Sequence, residues 1–188
     1  MFSSDAELFF RDPSTPAVAP GRFGILYLLR RDALQCLGIH PDTRERVAPT
    51  IWPATMTVLA GVDLLGKFYA GNDEVGKVGD RFKGFITRYF QQLSQDEKEA
   101  IYQLRNALLH SFGLYSKTKS ATFRFTVTCS GRALVTRADA ESVLVDLSTL
   151  HRNFEDAIQR YTQDLEGSAE LQANFTNMFP SYGYTNIG

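Results

Sequence analysis

Residues 94–112 read SQDEKEAIYQLRNALLHSF, and this stretch decides the fold class. Its first four residues form a capping-box pattern, in which the Ser94 side chain binds the backbone of Glu97 and the Glu97 side chain binds the backbone of Ser94. The acidic residues of this first turn favour the positive end of a helix dipole. Gly113 offers a stop, so the pattern predicts a helix over 95–112 that is long enough to pack along a bundle.

A helical wheel divides this predicted helix into two faces, because each residue advances the wheel by about 100°. The apolar, core-facing set is Ile101, Leu104, Ala107, Leu108 and Phe112. The opposite face carries Arg105, Asn106 and His110, and Tyr102 and Leu109 are interleaved with them. Apolar side chains on an otherwise polar face indicate a partner surface. We therefore predict that Tyr102 and Leu109 belong to a dimer interface.

Apolar residues that recur every three or four positions predict further helices upstream of this one. These helices cover residues 22–37, about 52–69 and about 79–93. Gly71 is a stop signal for the second of them. Gly61 and Gly66 lie inside that second helix, where glycine is unfavourable unless it allows close packing with a neighbouring helix.

The period of the hydrophobic pattern changes downstream of the motif-bearing helix. Residues 123–127 alternate apolar and polar side chains, which predicts a strand. A β insertion is expected over about 122–147, and a long helix over 148–165 and a short one over 168–178 should follow it. The predicted fold is mainly α: an antiparallel helical bundle with a small antiparallel β-meander inserted before the last long helix.

The composition is that of a globular domain, with 44% hydrophobic and 22% charged residues. Residues 1–21 contain several prolines among small residues and are predicted to be a flexible N-terminal arm. A single domain is expected over 22–180, with a tail over 181–188. The apolar run at 25–29 is far too short for a membrane span, so no membrane contact is predicted.

The charge pattern limits how this chain can meet nucleic acid. The formal net charge is −1, so no overall positive field attracts RNA, and any contact must be local. Lys117 and Lys119 follow the motif-bearing helix directly, and we predict that they contact an RNA backbone. The alternative is that both are ordinary solvated charges.

Other chemistry-bearing patterns are weak. Cys36 and Cys129 lack metal-ligand spacing and predict free thiols in a reducing, cytoplasmic compartment. His151 has no second His or Cys at metal spacing, which favours a surface or capping role and no metal site. Residues 71–78, GNDEVGKV, nearly match the motif of a phosphate-binding P-loop. Val78, however, occupies the position at which that motif needs a Ser or Thr to bind magnesium. We predict a helix–helix connection there.

Arg105, Asn106 and His110 resemble the signature of the HEPN superfamily, which is an Arg followed a few residues later by a His, often with a polar residue directly after the Arg. Members of that superfamily are helical bundles that usually dimerise through the motif-bearing helix. Many are metal-independent endoribonucleases, and others have lost catalysis. The β insertion is not part of the minimal family core, so the resemblance leaves the subfamily open.

The resemblance implies a composite cleft at the axis of a homodimer that cuts RNA without a cofactor. His110 would act as acid or base on the ribose 2′-hydroxyl or on the leaving oxygen, a role that suits an imidazole. Arg105 would hold the phosphate. Asn106 would orient the imidazole, and the product would carry a cyclic phosphate. Toxins, defence proteins and stress effectors are the implied roles, with an antitoxin as an implied protein partner.

Two other classes of function stay open at this point. The first is a non-catalytic HEPN-like module that binds a protein partner or a nucleotide. The second is a helical dimer with a purely structural role, in which Arg105 and His110 only solvate a helix surface or bind a neighbouring carboxylate.

Overall fold

The computed structural model describes residues 3–90 and 93–188 and confirms a mainly helical chain. In chain order the elements are α1 (Ser4–Phe9), β1 (Gly21–Gly24), α2 (Ile25–Cys36), α3 (Ile51–Ala70), α4 (Val78–Tyr89), α5 (Gln95–Ser111), β2 (Tyr115–Lys117), β3 (Thr122–Thr128), β4 (Val135–Arg137), β5 (Ser142–Asp146), α6 (Leu147–Gly167), α7 (Ala169–Tyr182) and β6 (Tyr184–Ile187). No helix within the described ranges is both long enough and apolar enough to cross a lipid bilayer.

The predicted ends of two helices are confirmed by their caps. At the start of α5 the backbone N–H of Ser94 donates to Glu97 Oε2 at 2.7 Å, and the backbone N–H of Glu97 donates to Ser94 Oγ at 3.2 Å. At the end of α3, Gly71 takes the left-handed conformation with φ 68°. The connection 71–78 joins α3 to α4, as predicted.

Helix α3 lies at the centre of the bundle and contacts α2, α4, α5, α6 and α7. Its two internal glycines allow this close packing. A Cβ atom added at Gly61 would lie 2.5 Å from the ring of Phe154 on α6, and one added at Gly66 would lie 3.1 Å from the carbonyl oxygen of Arg81 on α4. The condition under which the sequence tolerates glycine at these two positions, close packing with a neighbouring helix, is therefore met.

The predicted antiparallel meander is wrong. The sheet has the order β2-β3-β5-β4, and β3 and β5 run parallel to each other. The sheet also begins at Tyr115 rather than near 122, so Lys117 lies in a strand. Val143 and Val145 of β5 are buried and suit an inner strand, whereas the short β4, with Thr136 and Arg137 exposed, suits an edge. The chain therefore forms the edge strand β4 first and the inner strand β5 after it.

The predicted flexible arm and tail are also wrong where the structure describes them. Phe9 of α1 is fully buried, and its ring lies 4.4 Å from the ring of Phe68. Within the predicted tail, β6 pairs antiparallel with β1. Short segments of this kind carry too few residues for a periodic pattern, and they fold because the bundle offers them a surface. Residues 1 and 2 of the predicted arm lie outside the described residues.

Several boundaries shift by a few residues. The first predicted helix begins at Ile25 rather than at 22, because residues 21–24 form β1. Helix α4 ends at Tyr89, and residues 91 and 92 of the longer predicted helix lie outside the described residues. Helix α5 ends at Ser111, and Phe112 leaves the core face that the wheel assigned to it: it is 71% exposed.

Candidate active site

The motif residues of α5 meet an acidic residue of α3. Arg105 forms an ion pair with Asp63 through Nη2. Its other terminal nitrogen, Nη1, donates to Asn106 Oδ1 at 3.1 Å and lies 2.6 Å from His110 Nε2. We refer to Asp63, Arg105, Asn106 and His110 as the motif cluster. Three of its members were predicted, and Asp63 was not.

The wheel was wrong to place Arg105 away from the core. Arg105 is only 6% exposed, whereas Asn106 is half-buried and His110 is exposed. At about 100° from Leu104, Arg105 lies at the border between the two faces of α5. A buried guanidinium needs a paired charge, and Asp63 on the adjacent helix supplies it.

The contact between Arg105 and His110 determines which imidazole nitrogen carries a proton. A guanidinium has only donors, so His110 Nε2 is the acceptor, and the neutral ring carries its proton on Nδ1. The expectation that Asn106 would hold the imidazole is wrong in this structure, because the Asn106 amide oxygen accepts from Arg105 instead. Arg105, rather than Asn106, orients His110.

The Nε of Arg105 is buried and has no hydrogen-bond partner among residues 3–90 and 93–188. Leaving a buried donor unpaired costs about 1–3 kcal/mol, and such groups are rare in folded proteins. The polar contacts of the guanidinium therefore run through its terminal nitrogens.

One feature of the sequence distinguishes Asp63 from the rest of α3. Asp63 is the sole acidic residue between Ile51 and Ala70, and its neighbours along the chain are apolar. A single carboxylate in such a helix needs a cationic partner when it packs against other elements. Which cation would pair with it depended on how α3 and α5 cross.

The two predicted interface residues have different surroundings. The ring of Tyr102 lies 5.7 Å from the ring of Phe82, and the ammonium group of Lys83 lies 5.0 Å from the Tyr102 ring. Much of Tyr102 is therefore covered by α4 of the same chain. Leu109 is half-buried, and a role at an interface remains a prediction for both residues.

Lys117 and Lys119 are both exposed and lie close to the motif-bearing helix in the chain. Lys117 is in β2, and Lys119 is in the turn between β2 and β3. The hydroxyl group of Ser116 donates to Gln103 Oε1 at 2.6 Å, which ties β2 to α5. Because both lysine side chains are exposed, their ammonium groups are accessible to an anionic ligand.

The predicted surface or capping role of His151 is wrong, because Asp146 caps α6 and the His151 side chain is only 16% exposed. His151 Nε2 lies 3.9 Å from Glu155 Oε1 and has no hydrogen-bond partner in the described part of the chain. Burial lowers the pKa of this imidazole, although the Glu155 carboxylate acts in the opposite direction. Residues 3–90 and 93–188 contain no group of three or more His, Cys, Asp or Glu arranged to hold a metal ion.

Comparisons with protein-family models, with curated proteins and with solved structures found no match to this chain.

Proposed function

We propose that this protein is a metal-independent endoribonuclease of the HEPN type that acts as a homodimer. The observation that carries the proposal is the 2.6 Å contact between Arg105 and His110 at the exposed end of a well-capped helix, where the two motif residues already lie together. An exposed imidazole held by a fixed cation is a suitable acid–base group for phosphodiester cleavage.

The resting arrangement suggests how substrate starts the reaction. The lone pair of His110 Nε2, which a base needs, is occupied by Arg105 Nη1. An RNA phosphate that accepts a hydrogen bond from Arg105 frees that lone pair. His110 Nε2 then takes the proton of the ribose 2′-hydroxyl, the 2′ oxygen attacks the adjacent phosphorus, and the bond from phosphorus to the 5′ oxygen breaks. The 5′ oxygen takes a proton from solvent water, and the proton on His110 is later returned to solvent. The products carry a cyclic phosphate and a 5′-hydroxyl group.

The other members of the motif cluster position Arg105. Asp63 holds the guanidinium through Nη2, and Asn106 binds Nη1. Lys117 and Lys119 bind the RNA backbone beside the cluster. Free thiols at Cys36 and Cys129 support a reducing, cytoplasmic setting. A role as a toxin, defence protein or stress effector, with an antitoxin as partner, rests on the resemblance alone.

Cleavage of mixed single-stranded RNA in EDTA tests this proposal. The wild-type protein should cut, and His110→Ala should lower the rate by at least about 100-fold, because acid–base groups contribute that much or more. His40→Ala is the matched control, since His40 is an exposed histidine in the loop before α3. If the wild type does not cut, or if both variants cut like the wild type, the nuclease proposal is wrong.

A second candidate is a non-catalytic module that binds a protein partner or a nucleotide. The observation that favours it is the burial of Arg105 in an ion pair with Asp63, which is also what a purely structural pair would show. In that case the His110→Ala protein keeps its partner in a pull-down, and no RNA is cut by either form.

A further inference from the structure

Phe112 has an unusual backbone and an unusual exposure. It follows the last residue of α5 with φ 46°, in the left-handed region, and its side chain is 71% exposed. A bulky residue is strained in this conformation, which glycine adopts freely, and Gly113 is the very next residue. A strained, exposed aromatic ring two residues from His110 suggests that the ring has a use outside the isolated chain.

An apolar cavity of about 200 Å³ lies beside this helix end. Its lining consists of Ile51, Trp52, Thr55, Leu108, Leu114 and Val127. Trp52 is 41% exposed, so the cavity is open to solvent on that side. The hydroxyl group of Thr55 already donates to the carbonyl oxygen of Ile51 at 2.8 Å. The side chains of the lining therefore suit an apolar occupant rather than a nucleobase, whose polar edges need partners.

The exposed ring and the cavity lie close to each other along the chain. Leu108 and Leu114 of the lining lie on either side of Phe112 in the chain, at the end of α5 and just before β2. A twofold dimer uses the same patch on both protomers, so a projection and a cavity that lie side by side can fill each other reciprocally. A projection and a cavity on opposite faces would instead build an open chain of protomers.

We propose that Phe112 of each protomer inserts into the cavity beside Trp52 of the other protomer. A cavity of about 150 Å³ is known to accept a benzene ring, so the size is adequate for a phenyl group. An aromatic side chain has about 200 Å² of surface that can be buried. The exposed fractions of Phe112 and Trp52, counted on two protomers, therefore supply roughly half of the buried area of about 1,000 Å² that a specific interface needs. Leu109 and the rest of the helix end supply further area.

This interface brings the two motif clusters towards the dimer axis, because His110 precedes Phe112 by two residues. The inference rests on the homodimer of the proposed function but not on RNA cleavage. It also moves the main interface contact from Tyr102, which packs against Phe82 of its own chain, to Phe112.

Sedimentation velocity of the full chain with Phe112→Gly tests the interface. Each inserted ring is expected to be an interface hot spot worth about 30-fold in affinity, so loss of both rings should weaken the dimer by about 1,000-fold. The glycine relieves the left-handed strain, so the melting temperature of the monomer should not fall. Phe112→Asn removes the ring with another residue that tolerates this conformation and should give the same result.

Val75→Ala is the matched control for loss of exposed apolar area. Val75 is 102% exposed and lies beyond the far end of α3 from Trp52, at a distance of about 30 Å along the helix. It should leave the dimer unchanged.

Trp52 is the single tryptophan of the chain and reports directly on the cavity. Acrylamide should quench its fluorescence less in the dimer than in the diluted monomer, because the inserted ring shields the indole. In Phe112→Gly the quenching should not depend on protein concentration.

A wild-type protein that is monomeric at all concentrations would overturn the inference, and so would a Phe112→Gly protein that dimerises like the wild type. A third contrary result is that RNA alters the quenching of Trp52 while Phe112→Gly loses RNA binding and keeps its dimer. RNA cleavage decides the other proposal separately. A dimer that needs Phe112 but never cuts RNA supports the interface and removes the nuclease. A protein that cuts RNA and whose Phe112→Gly variant still dimerises supports the nuclease and removes the interface.

Discussion

Two buried arginines in this protein, Arg81 and Arg105, are 5% and 6% exposed, yet their surroundings differ in kind. Arg81 binds the Asp73 carboxylate at 3.0 Å and the carbonyl oxygen of Glu74 at 2.8 Å, and both partners lie in the connection between α3 and α4. Arg105 binds Asp63 and the exposed His110, and its Nε has no hydrogen-bond partner within the described ranges.

The difference separates a structural arginine from a candidate catalytic one. Arg81 binds the backbone carbonyl group of Glu74 and the Asp73 carboxylate, which also accepts a hydrogen bond from the Tyr182 hydroxyl group. These contacts hold the connection between α3 and α4 in place. The network of Arg105 ends at the imidazole of His110, which is exposed to solvent. Burial alone would have placed both arginines in one class.

The largest expected effect comes from removing the buried partner of Arg105. Asp63→Ala should lower the free energy of unfolding by about 3–5 kcal/mol, because it leaves an uncompensated buried charge. Urea unfolding measures the change. Adding Arg105→Met should restore most of the stability. Asp73→Ala should be milder, since the Asp73 side chain is 33% exposed and Arg81 keeps the Glu74 carbonyl. Equal losses at the two sites would remove the contrast.

The next effect concerns catalysis and depends on the proposed nuclease activity. Arg105→Lys keeps the charge but loses the fork that holds Asp63 and His110 together, so kcat for RNA cleavage should fall by about 100-fold. Arg81→Lys should lower stability and leave kcat unchanged. The two variants are compared under conditions in which both remain folded. A similar fall in kcat for both would show that neither arginine has a specific catalytic role.

The smallest effect is a pH dependence confined to the Arg81 network. The hydrogen bond from Tyr182, followed by the Lys67 ammonium group, holds the pKa of Asp73 below its ordinary value of 3.8, although burial acts in the opposite direction. The stabilisation is therefore complete above that ordinary value and is lost as the pH falls further.

Asp73→Asn should accordingly lower stability by about 1 kcal/mol at neutral pH, a value reduced by solvent screening. The difference from the wild type should shrink as the pH falls below 3.8. Unfolding curves at several pH values check this. A difference that stays constant down to the lowest pH at which the protein folds would contradict it.

Prediction from the sequence succeeded where a signal acts within a few residues. The capping box at Ser94, the glycine stop at Gly71 and the apolar periodicity of the long helices all lie in local stretches of chain. It failed where a distant partner decides. The parallel pairing of β3 with β5 and the burial of α1 depend on surfaces built by other elements.

The motif cluster shows the same division. Arg105, Asn106 and His110 could be chosen from their spacing on one helix, but Asp63 lies 42 residues away from Arg105 and no periodicity links the two. The wheel also assigned Phe112 to the core, because it continued the helix by one residue; the left-handed turn at Phe112 directs the ring to solvent instead.

The sequence by itself determined which segments form long helices and that Ile101, Leu104, Ala107 and Leu108 of α5 face the core. Hydrogen bonding along a helix and its 3.6-residue period are local properties. Tertiary structure decided that Arg105 is buried and paired, that His110 is held by Arg105 rather than by Asn106, and that Phe112 is exposed beside an apolar cavity. These outcomes depend on how helices cross and strands align, because charge pairing and burial require groups that are close in space but distant in the chain.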